Sequence, residues 1–293
     1  MISLQDLITT EKPLQIVGVI NPLAARLAEQ AGHRAIYLSG AGVANANFAL
    51  PDLAMTSLND VLESVRRITA ASDLPLLVDV DTGWGSPINV RRTFQLISRA
   101  KAAGAHIEDQ TEAKRCGHRS GKQLISISNM VGKINAALDG RDRDSFMVMA
   151  RTDAIAVEGE DRALDRALAY QEAGANAIFV EAATSLTQYE KFCRSLSVPV
   201  LANITEFGLT PLFTRDQLAQ VGISMILYPL SAFRAMNKVA LAIYSVLRET
   251  GTQQSVVHLM QTREELYHLL NYEAYEKELE SYMKNMEKDD GSV

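Results

Sequence analysis

Gln171-Glu172-Ala173-Gly174, followed by Ala177-Ile178-Phe179-Val180, decides the fold, because a helical segment there ends in glycine just before a short apolar strand. Glycine suits the position after a helix, since that position often needs a positive φ. The same order recurs at residues 28–38, 101–108 and 218–227. Near-continuous apolar strands of this kind are typical of a parallel sheet that is buried on both faces.

Four further apolar runs complete a set of eight strands, each followed by a helical stretch. Proline opens two of them, at residues 75–79 and 199–203, and it is tolerated at the first residue of a strand. The other two are predicted at residues 14–20 and 146–150. Eight strand–helix units in about 250 residues are the size of a (β/α)8 barrel. We therefore predict one α/β TIM-barrel domain over residues 1–293, in which residues 251–293 form a C-terminal helical extension.

The rival fold is a doubly wound open sheet. It would need fewer strands, and it usually carries a phosphate-binding glycine loop after the first one. Here Ile20-Asn21-Pro22 follows the first strand and contains no glycine. The barrel is therefore the preferred prediction.

Residues 264–286 are predicted to form a helix whose apolar side chains lie near one face. These side chains are Leu266, Leu269, Leu270, Tyr272, Tyr275, Leu279 and Tyr282. Such a face could pack on the chain's own barrel or reach a neighbouring subunit. The spacing leaves both interpretations open.

Composition and charge exclude several classes of protein. With 293 residues, of which 47% are hydrophobic and 22% charged, the chain differs from disordered, collagen-like and disulfide-stapled proteins. The formal net charge of −6 argues against a nucleic-acid-coating protein, and no apolar run is long enough for a membrane span. The opening Met1–Asp6 lacks the charged and apolar regions of a secretory signal. We therefore expect Cys116 and Cys193 to be free thiols in a reducing cytoplasm.

Acidic side chains fall at the carboxyl ends of the predicted strands, where barrel enzymes carry their catalytic groups. Asp79 and Asp81 are two residues apart on a strand and therefore point to the same side, and Glu108 ends the next strand. Three adjacent carboxylates would repel one another unless a cation neutralised them. Oxygen ligands without a His or Cys cluster favour Mg²⁺, with Mn²⁺ as a substitute. The alternative is that these acids are solvated or cap the following helices.

The loop Lys114-Arg115-Cys116-Gly117-His118-Arg119-Ser120-Gly121-Lys122 surrounds one thiol with basic side chains. Nearby cations lower the pKa of a cysteine, so we expect a Cys116 that exchanges a proton near neutral pH, in a loop whose charge suits a polyanionic substrate. A zinc site is disfavoured because no second ligand pair has suitable spacing. A nucleic-acid loop would need aromatic partners. A solvated basic turn is the remaining alternative.

Several motifs follow one another in the order of a known superfamily. They are Tyr37-Leu38-Ser39-Gly40, Asp79-Val80-Asp81, His106–Gln110, Lys114–His118, Met149–Asp153 and Leu201–Glu206. Together they resemble the isocitrate lyase/phosphoenolpyruvate mutase superfamily, and the likeness runs over residues 14–275. The loop is the motif of the lyase branch. The stretches 203–208, 227–234 and 260–263 favour the branch that cleaves 2-methylisocitrate in the methylcitrate cycle, which serves propionate catabolism.

The resemblance implies a homotetramer of (β/α)8 barrels that exchange their last helix. It implies Mg²⁺ around Asp79 and Asp81, with Glu108 reaching the ion through water. The positions that match substrate contacts are Ser39, Gly40, Ala41, Cys116, Gly117, Arg151, Glu181, Asn203, Ile204, Thr205, Arg234 and Arg263. Two positions depart from the pattern: Ala41 replaces a common glycine, and Val180 replaces a common proline. Both can change the shape of the pocket without removing a chemical group.

The implied activity is a retro-aldol cleavage of a small tricarboxylic acid into pyruvate and succinate. By resemblance, Arg151 stabilises the alkoxide and Cys116 protonates the succinate carbanion as general acid. Glu181 orients the substrate or relays a proton, and His118 holds a carboxylate. Tyr37 is the candidate for the base that deprotonates the hydroxyl.

Other members of the superfamily are the closest alternatives: isocitrate lyase, 2,3-dimethylmalate lyase and oxaloacetate hydrolase. Isocitrate lyases are usually much longer than this chain, and phosphonate P–C chemistry gives Cys116 no clear task. We expect Phe179 and Leu227 to line the space for the extra methyl group. A catalytically inactive barrel that binds small acids would have lost the carboxylates or the thiol, and both are present.

Overall fold

A computed structural model describes the backbone of residues 2–290 and the side chains of residues 2–286. Its eight parallel strands form a closed barrel in chain order, in which the first strand also pairs with the eighth. The strands are β1 (Leu14–Gly18), β2 (Ala35–Leu38), β3 (Leu76–Asp79), β4 (Gly104–Glu108), β5 (Met147–Thr152), β6 (Ala177–Val180), β7 (Val200–Asn203) and β8 (Met225–Tyr228). The predicted (β/α)8 barrel is confirmed.

Helices connect the strands and extend the chain beyond the last one. They are α1 (Leu4–Thr10), α2 (Pro22–Gln30), α3 (Gly40–Phe48), α4 (Leu58–Ala71), α5 (Pro87–Arg99), α6 (Ile127–Gly140), α7 (Ile155–Glu158), α8 (Glu160–Glu172), α9 (Leu186–Ser195), α10 (Arg215–Gln220), α11 (Ser231–Thr250), α12 (Arg263–Leu269) and α13 (Tyr272–Asp290). A 3₁₀ helix spans Gln254–Leu259. No helix in the described part of the chain is both long enough and apolar enough to cross a membrane.

Three of the four helix-ending glycines adopt the expected left-handed backbone. The φ angles are +86° at Gly32, +98° at Gly174 and +90° at Gly222. The prediction was wrong for Gly104, which is the first residue of β4. A Cβ there would lie 2.8 Å from the Met147 Cβ on the neighbouring strand, so the glycine permits close packing of β4 against β5. Lys101 takes the left-handed turn instead, with φ at +66°.

The two-residue alternation of the strands separates an inner core from an outer one. Inward side chains such as Ile16, Leu77 and Met149 pack with α1, whose Leu4 and Leu7 contribute to the same buried cluster. Side chains of the opposite parity pack against the surrounding helices. Because the alternation continues to the strand ends, the last inward residues meet at the mouth of the barrel.

The chain divides into two compact units, which separate between Arg234 and Ala235. In the second unit, one continuous helix was predicted over residues 264–286, and this prediction was wrong. Asn271 adopts a φ of +55° and separates α12 from α13. Residues 291–293 of the predicted extension lie outside the described residues.

Candidate active site

A cavity of about 440 Å³ lies at the carboxyl ends of the strands, where this fold places catalytic groups. Many predicted site residues line it: Tyr37, Ser39, Ala41, Asp79, Cys116, Gly117, His118, Arg151, Glu181, Asn203, Thr205 and Arg234. The expected methyl-pocket residues Phe179 and Leu227 also line it. The cavity therefore brings together side chains from most of the strand ends and from residues 114–122, here called the thiol loop.

Asp79 and Asp81 converge on the first turn of α3. A Cβ on Gly40 would lie 3.1 Å from Asp81 Oδ1 and 3.2 Å from Asp79 Oδ2, so any larger residue there would have to push the carboxylates away. The Gly40 N–H donates to Asp79 Oδ2 at 3.0 Å, and the Asp81 N–H donates to Asp79 Oδ1 at 3.0 Å. These bonds fix the Asp79 carboxylate in the mouth of the barrel.

Lys114 from the thiol loop neutralises this acidic pair. Its Nζ lies 2.7 Å from Asp81 Oδ1 and also bonds Asp52, which belongs to the connection between α3 and α4. Burial raises the pKa of Asp79, but the charges of His106, Lys114 and Arg151 outweigh it and lower the pKa to about 2. The positive charge of Lys114 lowers the pKa of Asp81, but burial and the negative charge of Asp79 outweigh it and raise the pKa to about 6. The two aspartates thus differ in acidity, and Asp81 is the one that takes up a proton first as pH falls.

Glu108 stands beside the aspartates but is turned toward an arginine. Its Oε2 lies 3.4 Å from Arg151 Nε, and its buried Oε1 has no hydrogen-bond partner. Burial raises the pKa of Glu108 well above its usual range. Among the described residues, no three His, Cys, Asp or Glu side chains converge as a metal-ligand group. The predicted cluster is therefore an aspartate pair, with Glu108 outside it.

An aspartate pair nonetheless fits a hard divalent ion. Mg²⁺ is usually held by one or two carboxylates and completes its octahedron with water and substrate oxygens. Asp79 Oδ2 and Asp81 Oδ1 already share one cradle at Gly40. The unpaired Glu108 Oε1 is suited to accept a hydrogen bond from a water molecule.

Arg151 is held in place by a second pair of bonds. Its Nε and Nη2 donate to the two carboxylate oxygens of Asp153 at 2.9 and 3.1 Å. Its Nη2 also lies 3.7 Å from Glu181 Oε1, and its guanidinium centre lies 5.1 Å from the Phe179 ring centroid. A buried guanidinium fixed in this way keeps its donors aimed at the cavity.

The thiol loop lies over the mouth of the barrel. Gln110 bonds both backbone groups of Arg115, at 2.9 Å each, and so fixes the residue before Cys116. Gly117 packs on the opposite wall, where a Cβ would lie 2.2 Å from Glu181 Oε1 and 2.4 Å from Arg151 Nη2. Cys116, between them, is partly buried and lines the cavity.

The expected lowering of the Cys116 pKa was wrong. Burial raises the pKa of the thiol, and the charges of Asp52 and Glu181 act in the same direction. The basic neighbours that were expected to counter this effect have other partners, because Lys114 bonds Asp52 and Lys122 bonds Asp153. The thiol therefore stays protonated at neutral pH, which suits a proton donor.

His118 joins the loop to the far wall of the cavity. Its Nδ1 accepts from the Leu209 N–H at 3.0 Å, so the neutral ring carries its proton on Nε2. This nitrogen lies 3.1 Å from Glu181 Oε1. Glu181 Oε2 in turn accepts from Asn203 Nδ2 at 3.1 Å. The three side chains form one polar wall opposite the aspartates.

Tyr37 is surrounded by groups that keep its hydroxyl protonated. Its OH lies 2.9 Å from His106 Nε2 and 3.3 Å from Asp79 Oδ2. Burial, with the negative charges of Asp79 and Glu181, raises the pKa of Tyr37 well above its usual range. This argues against Tyr37 as the base and favours a role as a hydrogen-bond donor.

Two predicted contact residues, Ile204 and Gly40, do not line the cavity. The Ile204 side chain belongs to the outer hydrophobic core, and its N–H bonds the Leu227 carbonyl. The Gly40 N–H donates to Asp79. Arg263 begins α12 in the second unit, and its contact with substrate stays a prediction. Arg234 lies at the edge of the cavity, 3.6 Å from Glu206.

Sequence analysis missed four residues that shape the site. They are Asp52, His106, Lys114 as an ion-pair partner, and Asp153 as the support of Arg151. His106 had a detectable signal, since it is a titratable residue in an apolar strand and shares the inward parity of Glu108. Asp52 had none, because it lies in a connection without periodicity.

Barrel, carboxylate pair and thiol loop define a class of enzyme. A family model described as phosphoenolpyruvate phosphomutase matches residues 4–247. The chain belongs to this family, within the isocitrate lyase/phosphoenolpyruvate mutase superfamily, as its motifs predicted.

Individual relatives define the reaction class more closely. The chain is 56% identical over 275 residues to 2-methylisocitrate lyase of Escherichia coli, covering 94% of this chain and 93% of the relative. It is 30% identical to a crystal structure of 2,3-dimethylmalate lyase, with a TM-score of 0.87 and 94% of each chain covered. A structure of phosphonopyruvate hydrolase with oxalate and Mg²⁺ matches at 29% identity and a TM-score of 0.83, covering 94% and 95% of the two chains. The chain is an enzyme of the carbon–carbon lyase class, as predicted.

Proposed function

We propose that this chain is a Mg²⁺-dependent lyase that cleaves 2-methylisocitrate into pyruvate and succinate in the methylcitrate cycle of propionate catabolism. The observation that carries the proposal is the seating of Cys116-Gly117-His118 on Glu181 and Arg151, across the cavity from the aspartate pair. This arrangement suits a substrate held by cationic and carboxylate-binding groups beneath a proton donor.

Asp79 and Asp81 are the residues that would hold Mg²⁺, with Glu108 positioned for a water-mediated contact. When bound, the ion supplies Lewis acidity toward the hydroxyl and carboxylate oxygens that become the keto acid. Lys114 neutralises the pair in the described structure, and its bond to Asp52 keeps it at the edge of the site. The relative solved with oxalate and Mg²⁺ supports the choice of this metal.

Bond cleavage requires charge stabilisation at two places. Loss of the hydroxyl proton creates an alkoxide, whose electrons form the carbonyl of pyruvate as the C–C bond breaks. The bonding pair moves onto the succinate fragment and gives an aci-carboxylate. Arg151, fixed by Asp153, directs preorganised donors at the alkoxide. Glu181 orients the substrate together with Asn203 and His118.

Cys116 donates the proton that completes the succinate fragment. Burial keeps its thiol protonated at neutral pH, as a general acid must be before reaction. The loop that carries it also covers the cavity and excludes water, which would otherwise compete as a proton source. The base for the hydroxyl is not assigned, since Tyr37 is better suited to donate a hydrogen bond to the substrate.

The choice of substrate rests on the relatives and on the cavity wall. Phe179 and Leu227 give an apolar surface next to the polar groups, as a methyl-bearing substrate needs. One methylene is worth only about 1–3 kcal/mol in such a pocket, so secondary activities are expected. The nearest competing substrates are isocitrate, 2,3-dimethylmalate and oxaloacetate.

A substrate panel tests the proposal. The protein with Mg²⁺ is incubated separately with 2-methylisocitrate and the three competitors, and the products are identified by NMR. We expect pyruvate and succinate from 2-methylisocitrate at the highest kcat/KM. A higher kcat/KM for 2,3-dimethylmalate or oxaloacetate would reassign the chain to that branch.

We also propose a homotetramer whose last helix is exchanged between subunits, acting in the cytoplasm. Exposed apolar side chains in the second unit support the exchange: Leu241, Tyr244, Leu259, Tyr275, Leu279 and Tyr282. The free thiols of Cys116 and Cys193 suit a reducing compartment. Light scattering of the full chain should give about four times the mass of one chain, and Leu279→Glu should lower it. A monomer would contradict the exchange.

A further inference from the structure

Lys122 ends the thiol loop as a buried cation with two partners. Its side chain is 1% exposed, and its Nζ donates to Asp153 Oδ1 at 3.0 Å and to the Gly117 carbonyl. The first bond attaches the loop to the end of β5. The second holds the residue next to Cys116. One side chain therefore fixes the peptide that seats on Glu181 and Arg151.

Asp153 is itself rigidly placed, so it can serve as an anchor. Its N–H donates to Asp109 Oδ1 at 2.9 Å, and the other Asp109 oxygen accepts from Thr152 and Tyr170 at 2.8 and 2.9 Å. This network lies behind the strand ends and does not line the cavity. Lys122 thus bonds to a fixed carboxylate.

If Lys122 left this ion pair, the Asp153 carboxylate would still have hydrogen-bond partners. Asp153 keeps two bonds from Arg151 whether or not Lys122 is present. A lysine that leaves the pair gains water, whereas a buried carboxylate that lost all its partners would be strongly destabilised. The pair is therefore suited to break and re-form as substrate enters and product leaves.

The other side of Cys116 is held differently. Gln110 is fully buried and bonds the backbone of Arg115, while Thr111 N–H bonds the Gln123 carbonyl at the base of the loop. These contacts are made by neutral groups close to β4. The base of the loop is thus held by neutral groups, whereas the Lys122 side chain reaches from the base to the Gly117 carbonyl beside Cys116.

We propose that Lys122 is a positioning residue that holds the Cys116 segment closed over the cavity. The proposal rests on the proposed function in assigning the proton donor to Cys116. It predicts that loss of Lys122 shifts the loop toward open conformations in which the thiol is accessible to solvent, even when no substrate is present.

The test measures alkylation of Cys116 by iodoacetamide in the full chain, with Mg²⁺ and without substrate. Peptide mass spectrometry measures the alkylation of Cys116 separately from that of Cys193. In Lys122→Met we expect Cys116 to react about tenfold faster than in the wild type, as a shift of the open population of that size requires. We expect kcat for 2-methylisocitrate to fall by a smaller factor, because a tenfold rise of a minor open population leaves most of the loop closed. The alkylation result does not depend on the substrate, so it stands even where the proposed reaction fails.

Arg119→Gln is the matched control, because Arg119 is an exposed cation of the same loop. Its Cys116 should react at the wild-type rate. In an Asp153→Asn background, adding Lys122→Met should accelerate alkylation by less than it does alone, since the two residues act through one bond. Where Lys122→Met does not fold by circular dichroism, Lys122→Gln replaces it with the same expectation. A Cys116 rate within about twofold of wild type in the folded variant, or equal acceleration by Arg119→Gln, overturns the proposal.

Discussion

Gly117 packs against Glu181 with no room for a side chain: a Cβ on Gly117 would lie 2.2 Å from Glu181 Oε1. The contact joins the loop that carries the Cys116 thiol to the end of β6, where Glu181 lies. It depends on the absence of one methyl group, since Arg151 Nη2 blocks the same space at 2.4 Å. The closed loop is therefore sensitive to a very small change.

Gly117→Ala is expected to lower kcat by about 10²-fold, because the added Cβ displaces the loop and misplaces the Cys116 thiol. Steady-state kinetics with 2-methylisocitrate measures the effect. Gly132→Ala is the control, since nothing lies within 4 Å of a Cβ at that position of α6. The control should keep full activity and gain about 0.5–1 kcal/mol from helix propensity. Equal activity in both variants would show that the loop closes in another way.

Mg²⁺ should raise the melting temperature of the wild-type protein. Binding to the folded state adds about 2.7 kcal/mol of stability at a concentration 100 times Kd. Asp79→Asn and Asp81→Asn should lose most of this shift, because each removes one carboxylate of the pair at Gly40. Asp73→Asn, an exposed aspartate before β3, should keep it. A shift that persists in both site variants would place the ion elsewhere. The measurement is differential scanning fluorimetry against Mg²⁺ concentration.

Cys116→Ser should reduce turnover by about 10²–10⁴-fold, the usual contribution of a general acid. A serine hydroxyl is a much weaker acid than a thiol, whereas its size preserves the packing of the loop. Binding of succinate, followed by calorimetry, should remain close to wild type. Cys193→Ser, at the other free thiol, serves as control and should retain activity. Near-normal turnover in Cys116→Ser would remove the acid role.

The pH profile of kcat provides a separate test of the same thiol. A general acid must be protonated, so the rate falls as pH rises through its pKa. Because burial raises the pKa of Cys116, this fall should begin on the alkaline side of an ordinary cysteine. The measurement is kcat from pH 6 to 10 in wild type and in Cys116→Ser. A fall that starts below neutral pH would point to a lowered pKa and a thiolate.

Arg166→Met should destabilise the barrel by about 3 kcal/mol. Arg166 is buried and makes two bonds of 2.7 Å with the exposed Glu158. It also donates to two buried groups, the Tyr170 hydroxyl at 3.1 Å and Asp109 Oδ2 at 3.5 Å, so its loss removes a partner from each buried group. Arg162→Met, on the exposed side of α8, should change stability by no more than about 0.5 kcal/mol. Urea denaturation of both variants gives the comparison. Similar unfolding free energies would mean that water replaces the arginine.

Some features of the site could be predicted because they follow from local periodicity. Asp79 could be placed in this way, because it ends β3 and the strand ends of a barrel share one mouth. Asp81 lies beyond β3 with a φ of +48°, so its approach to Asp79 does not follow from the strand alternation that the sequence had suggested. Gly174 and Gly222 mark the ends of helices because their left-handed backbone is a local requirement. Such properties depend on neighbours within a few residues, which the sequence contains.

Other features depend on residues that meet only after folding. Gly104 resembled a helix end, but its neighbour Met147 is 43 positions away in the chain and decides its role. The basic loop predicted an activated thiolate, whereas Lys114 and Lys122 are bound to Asp52 and Asp153. A count of nearby charges does not tell which of them are already paired.

The sequence by itself determined the barrel, its catalytic edge and the residue types that meet there, because hydrophobic alternation and helix-ending glycines act over short distances. Only the tertiary structure decided which charges face one another, how Gly117 fits against Glu181, and how burial changes the acidity of Cys116. Those outcomes arise from distances and desolvation, and both are set by the packing of segments far apart in the chain.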